Sequence, residues 1–138
     1  VEVTCESGDK AGYGNIMDIK EEIKESTKNI IINHASNVIG SIQDIKNIGN
    51  LPKSKGIIVM VDASQSAVVI PIDVERDNID VLAFSGHKGL LGPHGTGGLF
   101  MRNSIQLNNF REGGTLITFL FMFHPDFMPD QFESGTLN

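Results

Sequence analysis

Apolar residues recur along the chain at two different spacings, and the change from one to the other marks out the elements. Ile16, Ile19 and Ile23 follow one another at steps of three and four, the period of one face of an α-helix. Asn15 stands ahead of them as a cap. Asp18, Lys20, Glu21, Glu22, Lys24 and Glu25 fill the remaining positions and read as a solvated face, not as a metal site. Residues 29–33, Asn-Ile-Ile-Ile-Asn, drop the helical period and predict a short buried strand, because branched side chains suit a pleated surface. A second helix is expected after Gly40. Ser41 with Asp44 forms a weak capping box, and Ile42, Ile45 and Ile48 supply an apolar edge. Leu51-Pro52 closes it, since proline disfavours helical geometry in the residue before it.

Residues 56–62, Gly-Ile-Ile-Val-Met-Val-Asp, give the strongest strand signal, a continuous apolar run closed by a carboxylate. Residues 81–85, Val-Leu-Ala-Phe-Ser, predict a strand of the same design, and residues 97–101, Gly-Gly-Leu-Phe-Met, a fourth. Strands alternating with helices, with no hairpin turn between the first three, predict an α/β fold with a mostly parallel sheet flanked by helices. Ligands bind such sheets beyond the carboxyl ends of the strands. That edge would gather His34, Asp62, Ser85, His87 and Lys88. Past Arg111 the periodicity fades into the apolar run 116–123, which, if exposed, predicts self-association.

Composition bounds the reading. A length of 138 residues with 40% hydrophobic content suits one core. Eleven Lys and Arg against seventeen Asp and Glu leave a net charge of -6, which argues against a nucleic-acid surface. No apolar run approaches the roughly 18–20 residues of a membrane span, so a soluble chain with no membrane partner is expected. Cys5 is the single cysteine and cannot pair internally. It fits a reducing, cytoplasmic setting, with a small buried side chain as its expected role.

The segment 85–98, Ser-Gly-His-Lys-Gly-Leu-Leu-Gly-Pro-His-Gly-Thr-Gly-Gly, carries the most chemical information. Six glycines between Gly86 and Gly98 demand positive torsions or close backbone approach. Lys88, just after a buried strand, is either an ordinary surface lysine in a turn or an amine able to condense with a carbonyl once desolvated. A phosphate loop of the Gly-Lys-Ser/Thr kind is absent, and these glycines precede a strand where a dinucleotide fingerprint would open a helix. His34, His87, His94 and His124 lack metal-ligand spacing. Singly, Asp62 reads as a helix cap, His34 as a core histidine and Gln65 as a loop amide. Together with Lys88 on one sheet edge they suggest pyridoxal phosphate chemistry, which needs a lysine imine and an acid for the pyridinium nitrogen.

At these residues the sequence resembles the cysteine desulfurases of the class V aminotransferase family. The likeness lies in residues 33–40 (Asn-His-Ala-Ser-Asn-Val-Ile-Gly), 61–65 (Val-Asp-Ala-Ser-Gln), 84–93 (Phe-Ser-Gly-His-Lys-Gly-Leu-Leu-Gly-Pro) and 132–138 (Phe-Glu-Ser-Gly-Thr-Leu-Asn). The resemblance implies that residues 1–138 are the central portion of the large cofactor domain of a fold-type I pyridoxal-phosphate-dependent transferase, with the N-terminal part and the C-terminal small domain lying outside them. Lys88 would hold the cofactor aldehyde and move the substrate proton, Asp62 would pair with the pyridine nitrogen, and His34 would stack on the ring. Gln65 would contact the phenolic oxygen, Ser85 and His87 the phosphate, and Asn37 the substrate carboxylate. Thr115 would reach the phosphate of a neighbouring subunit, implying a homodimer. The implied reaction converts L-cysteine to L-alanine and passes sulfur, as an enzyme persulfide, to an acceptor protein. The family's phosphate-binding turn, substrate-binding arginine and sulfur-accepting cysteine have no match among residues 1–138, so the chain alone is expected to be inactive. Alternatives are a class V aminotransferase or lyase acting on another amino acid, or a non-catalytic cofactor-binding module.

Overall fold

A computed structural model describes residues 2–52, 56–108, 126–128 and 130–132 of the chain. The elements in order are helix α1 (Ile16–Glu22), strand β1 (Asn29–Asn33), helix α2 (Ile45–Asn50), and strands β2 (Ile58–Asp62), β3 (Val81–Ser85) and β4 (Gly97–Met101). The strands form one sheet in the order β1-β2-β3-β4. β1 pairs with β2 and β2 with β3 in parallel, while β4 returns antiparallel to β3. The sheet is therefore mixed and mostly parallel, the α/β arrangement the strand–helix alternation implies.

α1 starts where its cap requires. The Asn15 side chain accepts from the Met17 N–H at 2.9 Å, satisfying one of the donors a helix start leaves unpaired. Ile16 and Ile19 pack from it against the core. The second helix is shorter than the expected one. Asp44, not Ser41, is its cap and accepts from the Asn47 N–H at 3.1 Å. Ser41 is buried instead, and its carbonyl accepts from the Ser36 N–H at 2.9 Å. Residues 35–42 thus fold into a closed turn, held by the Ala35–Ile42 bridge, before any helix begins. Leu51 caps the end. Gly49 lies within α2 because the Asp77 carbonyl passes where a side chain would stand.

The core gathers Ile32, Ile45, Ile48, Val59, Val61 and Ile79 between α2 and one face of the sheet. Burying each such side chain contributes about 1.5–3 kcal/mol relative to leaving it exposed. In β2 the buried and half-buried positions alternate, so Val59 and Val61 enter the core while Met60 and Asp62 take the other face. β1 departs from the expected buried strand. It is an edge among the described strands, and Ile31 is 70% exposed while Ile32 is buried. An unbroken isoleucine run looks the same whether one face or both are covered. Cys5 also departs from expectation: it is exposed, in an N-terminal stretch with no regular structure.

Residues 1–102 form one compact unit and residues 103–138 a second. In the second, a 3-10 turn spans Asp130–Phe132, with Gln131 Nε2 donating to the Leu107 carbonyl at 3.1 Å. Thr115 and the apolar run 116–123 lie outside the described residues. Among the described residues no helix is long and apolar enough to cross a membrane.

Candidate active site at the carboxyl ends of the parallel strands

Parallel registry sets three strand ends side by side. Asn33 pairs with Asp62, and Asp62 with Ala83. The ladder runs one step further: the His34 N–H donates to the Asp62 carbonyl at 3.0 Å and the Ala63 N–H to the Ala83 carbonyl at 2.8 Å. His34 is thereby fixed next to Asp62. Ser85 ends β3, and His87 and Lys88 follow in a turn closed by the Leu91 N–H donating to the Lys88 carbonyl at 2.9 Å.

The turn that follows β2 links the other two strand ends. Ala67 N–H donates to the Ala63 carbonyl at 2.8 Å, shaping residues 63–67 into a helical turn that carries Gln65 and Ser66. On one side, the Ser66 hydroxyl lies 2.8 Å from Nδ1 of His34, a contact between two buried groups. On the other, Gly89 packs against the same turn. A Cβ on Gly89 would stand 2.5 Å from the Ala67 carbonyl oxygen and 3.0 Å from Val69 Cγ2, so only glycine lets the lysine turn approach this closely. Leu91, two residues on, takes a positive φ of 56°. Such a torsion is costly for a leucine and is held by the folded loop around it.

Asp62 is half-buried, and its Oδ1 accepts from the Ser64 N–H at 2.8 Å. Oδ2 takes no hydrogen bond from a described residue. Lys88 and Gln65 are also half-buried, while His87 and Asn37 are exposed. Asn37 lies three residues past His34, in a turn whose N–H groups at Val38 and Ile39 donate to the Ser36 hydroxyl at 3.2 and 3.3 Å. His34 is 3% exposed. Burial pushes its ring below the ordinary histidine range, with the Asp77 carboxylate pulling the other way.

The sequence-predicted residues His34, Asp62, Gln65, Ser85, His87 and Lys88 thus fall on one edge, with Asn37 in the adjoining turn. Thr115 lies outside the described residues. Sequence reading missed two side chains. Ser66 gave no signal, because a serine beside a loop glutamine has no distinguishing pattern. His94 was seen only as lacking metal-ligand spacing, and its ring stacks on His87 with centroids 4.9 Å apart and planes at 28°. Among the described residues no group of three or more potential ligands is placed to hold a metal ion.

Comparison with known proteins matches residues 1–138 to the family Aminotransferase class-V, whose members use pyridoxal phosphate. The chain is 46% identical over 116 residues to a cysteine desulfurase IscS of Plasmodium falciparum, a match covering 82% of this chain and 21% of that protein. Among solved structures, the apo cysteine desulfurase of Thermococcus onnurineus NA1 superposes with a TM-score of 0.75 at 32% identity, covering 99% of this chain and 35% of that one. A structure described as SspA in complex with cysteine gives a TM-score of 0.77 at 35% identity, covering 82% of this chain and 33% of that one. The chain therefore spans about a fifth to a third of the length of the proteins it matches. Sequence along the whole chain and backbone agree, and the chain belongs to the class-V aminotransferase family as a homologue of the cysteine desulfurases.

Proposed function

We propose that the chain is the central, cofactor-binding portion of a pyridoxal-phosphate-dependent cysteine desulfurase. The whole enzyme would be a cytoplasmic homodimer that converts L-cysteine to L-alanine and hands the sulfur to an acceptor protein through a persulfide. The observation that carries this reading is the convergence of His34, Asp62 and Lys88 on the carboxyl ends of three neighbouring parallel strands. Cysteine as substrate is supported by the relative whose structure is described as a complex with cysteine.

The residues fit the cofactor. Asp62 offers a carboxylate oxygen with no partner among the described residues, held in place through its other oxygen. His34 offers a buried ring fixed at Nδ1. Lys88 is half-buried, on a turn that Gly89 packs tightly against residues 67–69. When bound, pyridoxal phosphate supplies an electron sink for the charge left as a substrate proton departs.

Each side chain then has a defined task. Asp62 would hold the protonated pyridine nitrogen through Oδ2. Lys88 would supply the amine that holds the cofactor aldehyde, and its Nζ would move the substrate α-proton. His34 would lie against the ring face and Gln65 against the phenolic oxygen. Ser85 and His87 would bind the phosphate, and Asn37 would orient the substrate carboxylate. Thr115 would contribute to the phosphate site of the partner subunit.

Borohydride reduction in the presence of pyridoxal phosphate, followed by peptide mass spectrometry, tests the reading. The cofactor mass should appear on Lys88 and vanish in Lys88→Ala. A chain carrying no label on Lys88, or label scattered over surface lysines, would overturn it. Incubated with cysteine and pyridoxal phosphate, the 138-residue chain should release neither sulfide nor alanine above background. Robust turnover would refute the incompleteness of its site.

A second reading is that the same edge serves a class V aminotransferase or lyase acting on another amino acid, since the family model that matches the chain is the broader Aminotransferase class-V. Product analysis of a longer chain separates the two: alanine with sulfide for the first, a keto acid or other cleavage product for the second.

A further inference from the structure

Behind the residues that face the cofactor in the proposed reading stands Ser66. It is completely buried, and its hydroxyl has one partner among the described residues, Nδ1 of His34 at 2.8 Å. A hydroxyl both gives and accepts, so the distance alone leaves two arrangements open. The surroundings decide between them. A serine in a helical turn ordinarily gives its proton to a carbonyl three or four residues back, here that of Ala63 or Asp62. Both carbonyls already receive backbone donors. Asp62 takes the His34 N–H at 3.0 Å, and Ala63 takes the N–H groups of Ser66 and Ala67 at 3.0 and 2.8 Å. No bond from the Ser66 hydroxyl to either is formed. A buried hydroxyl proton left without an acceptor costs about 1–3 kcal/mol. Among the described residues the only partner of this hydroxyl is Nδ1 of His34, whose lone pair can accept.

We infer that Ser66 is a positioning residue that sets the tautomer of His34: its hydroxyl donates to Nδ1, so the neutral ring carries its proton on Nε2. Among the described residues no buried side-chain nitrogen or oxygen lacks a partner. Nε2, which takes none, therefore keeps an opening to the exterior. It presents an N–H there, not a lone pair. Protonating the ring would force the hydroxyl to turn and accept, stranding its own proton. That penalty acts in the same direction as the burial that lowers the ring's pKa, and the neutral form dominates at neutral pH. The functional meaning rests on the reading proposed above. Over a cofactor, His34 offers a hydrogen bond to an anionic oxygen or sulfur and is not arranged to accept a proton at that edge.

The test needs no turnover. The full chain is labelled with 15N-histidine, and long-range 1H–15N correlations are recorded at about pH 8, with His34 assigned by its loss in His34→Gln. Wild type should show a protonated Nε2 and a bare Nδ1 shifted from the free-imidazole position by the hydroxyl. Ser66→Ala should return Nδ1 to the free position, and Ser66→Thr, which keeps the hydroxyl, should restore the shift. A wild-type ring with its proton on Nδ1 overturns the inference, as does an unchanged Nδ1 shift in Ser66→Ala. Should either variant fail to fold, the wild-type spectrum alone still decides. Failure of the borohydride label with an Nε2–H ring would remove the enzymatic reading and leave this one standing. A labelled Lys88 with an Nδ1–H ring would do the reverse.

Discussion

Removing the guanidinium of Arg102 should cost far more stability than removing its nearest carboxylate partner. Arg102 follows β4 and reaches across the amino end of β3. Its NH1 bonds both oxygens of Glu75 at 2.8 and 2.9 Å, and its Nε lies 3.2 Å from Asp80. Its NH2 donates to the carbonyls of Val74 and Ile79 at 3.2 and 3.0 Å. The short contacts to Glu75 suggest that this pair matters most, but Glu75 is 74% exposed while Asp80 is only 23% exposed. An exposed ion pair is worth about 0–1 kcal/mol. The rest is different. Asp80 Oδ2 also accepts from the Val59 N–H at 2.9 Å, so Arg102 neutralises a carboxylate that ties β2 to the start of β3. Leaving that carboxylate and two shielded carbonyls without their donor costs about 2–4 kcal/mol. Glu75→Ala should therefore lose at most about 1 kcal/mol and Arg102→Ala about 2–4. With about 4 °C per kcal/mol for a domain near this size, thermal unfolding followed by circular dichroism should drop by about 8–16 °C for Arg102→Ala. Glu75→Ala should drop by no more than about 4 °C. Arg102→Lys should recover under half of the loss, because a single ammonium cannot serve carboxylate and carbonyls in one fork. Equal losses for Arg102→Ala and Glu75→Ala would refute the reasoning, placing the energy in the exposed pair.

Two further outcomes follow from neighbouring features. Asp77 is buried and accepts from the Arg76 guanidinium at 2.7 and 2.8 Å and from the Asp73 N–H at 3.1 Å. The hydrogen-bonded Arg76 guanidinium holds the Asp77 carboxyl below the usual carboxylate range, so its contribution is full above the unfolded value of about 3.9 and is lost as pH falls through the lower folded one. Unfolding free energy should decline more steeply below about pH 4 in wild type than in Asp77→Asn, and parallel curves would contradict this. Gly89→Ala would set a Cβ 2.5 Å from the Ala67 carbonyl oxygen, pushing the Lys88 turn off the 63–67 turn. Borohydride-trapped cofactor on Lys88 should fall about tenfold, a cost of about 1.4 kcal/mol, and wild-type labelling in the variant would show that the close approach is dispensable.

The sequence carried the sheet better than the helices. Residues 56–62 and 81–85 read as strands because a continuous apolar run has few other uses in a short α/β segment; the first formed two residues shorter, as Ile58–Asp62, and the second as expected. Helix α2 was misplaced at its start, since Ser41 and Asp44 are both good caps and only the Ala35–Ile42 bridge, a contact across seven residues, disqualifies the first. β1 shows the same limit. Its three isoleucines say nothing about whether a further layer covers Ile31. At the site, the residues with unusual chemistry for their context were legible: a lysine among glycines, an acid closing an apolar strand. Ser66 was not, because its meaning lies wholly in a partner thirty-two positions away. Arg102 was legible as a charge but not as a clamp, because each of its partners is an ordinary residue.

The two ends of the sheet handle charge in opposite ways, and that difference separates stability from function. At the amino ends, the carboxylates of Asp80 and Glu75 meet the Arg102 guanidinium, and Asp80 also meets a backbone donor. At the carboxyl ends, Asp62 and Lys88 are half-buried, yet neither joins an ion pair among the described residues. The Ser64 N–H anchors Asp62 through one oxygen, and the Leu91 contact to the Lys88 carbonyl, with Gly89 pressed on Ala67, fixes the lysine turn. In the proposed reading, a ligand with a protonated ring nitrogen for the acid and an aldehyde for the amine would engage both residues at once.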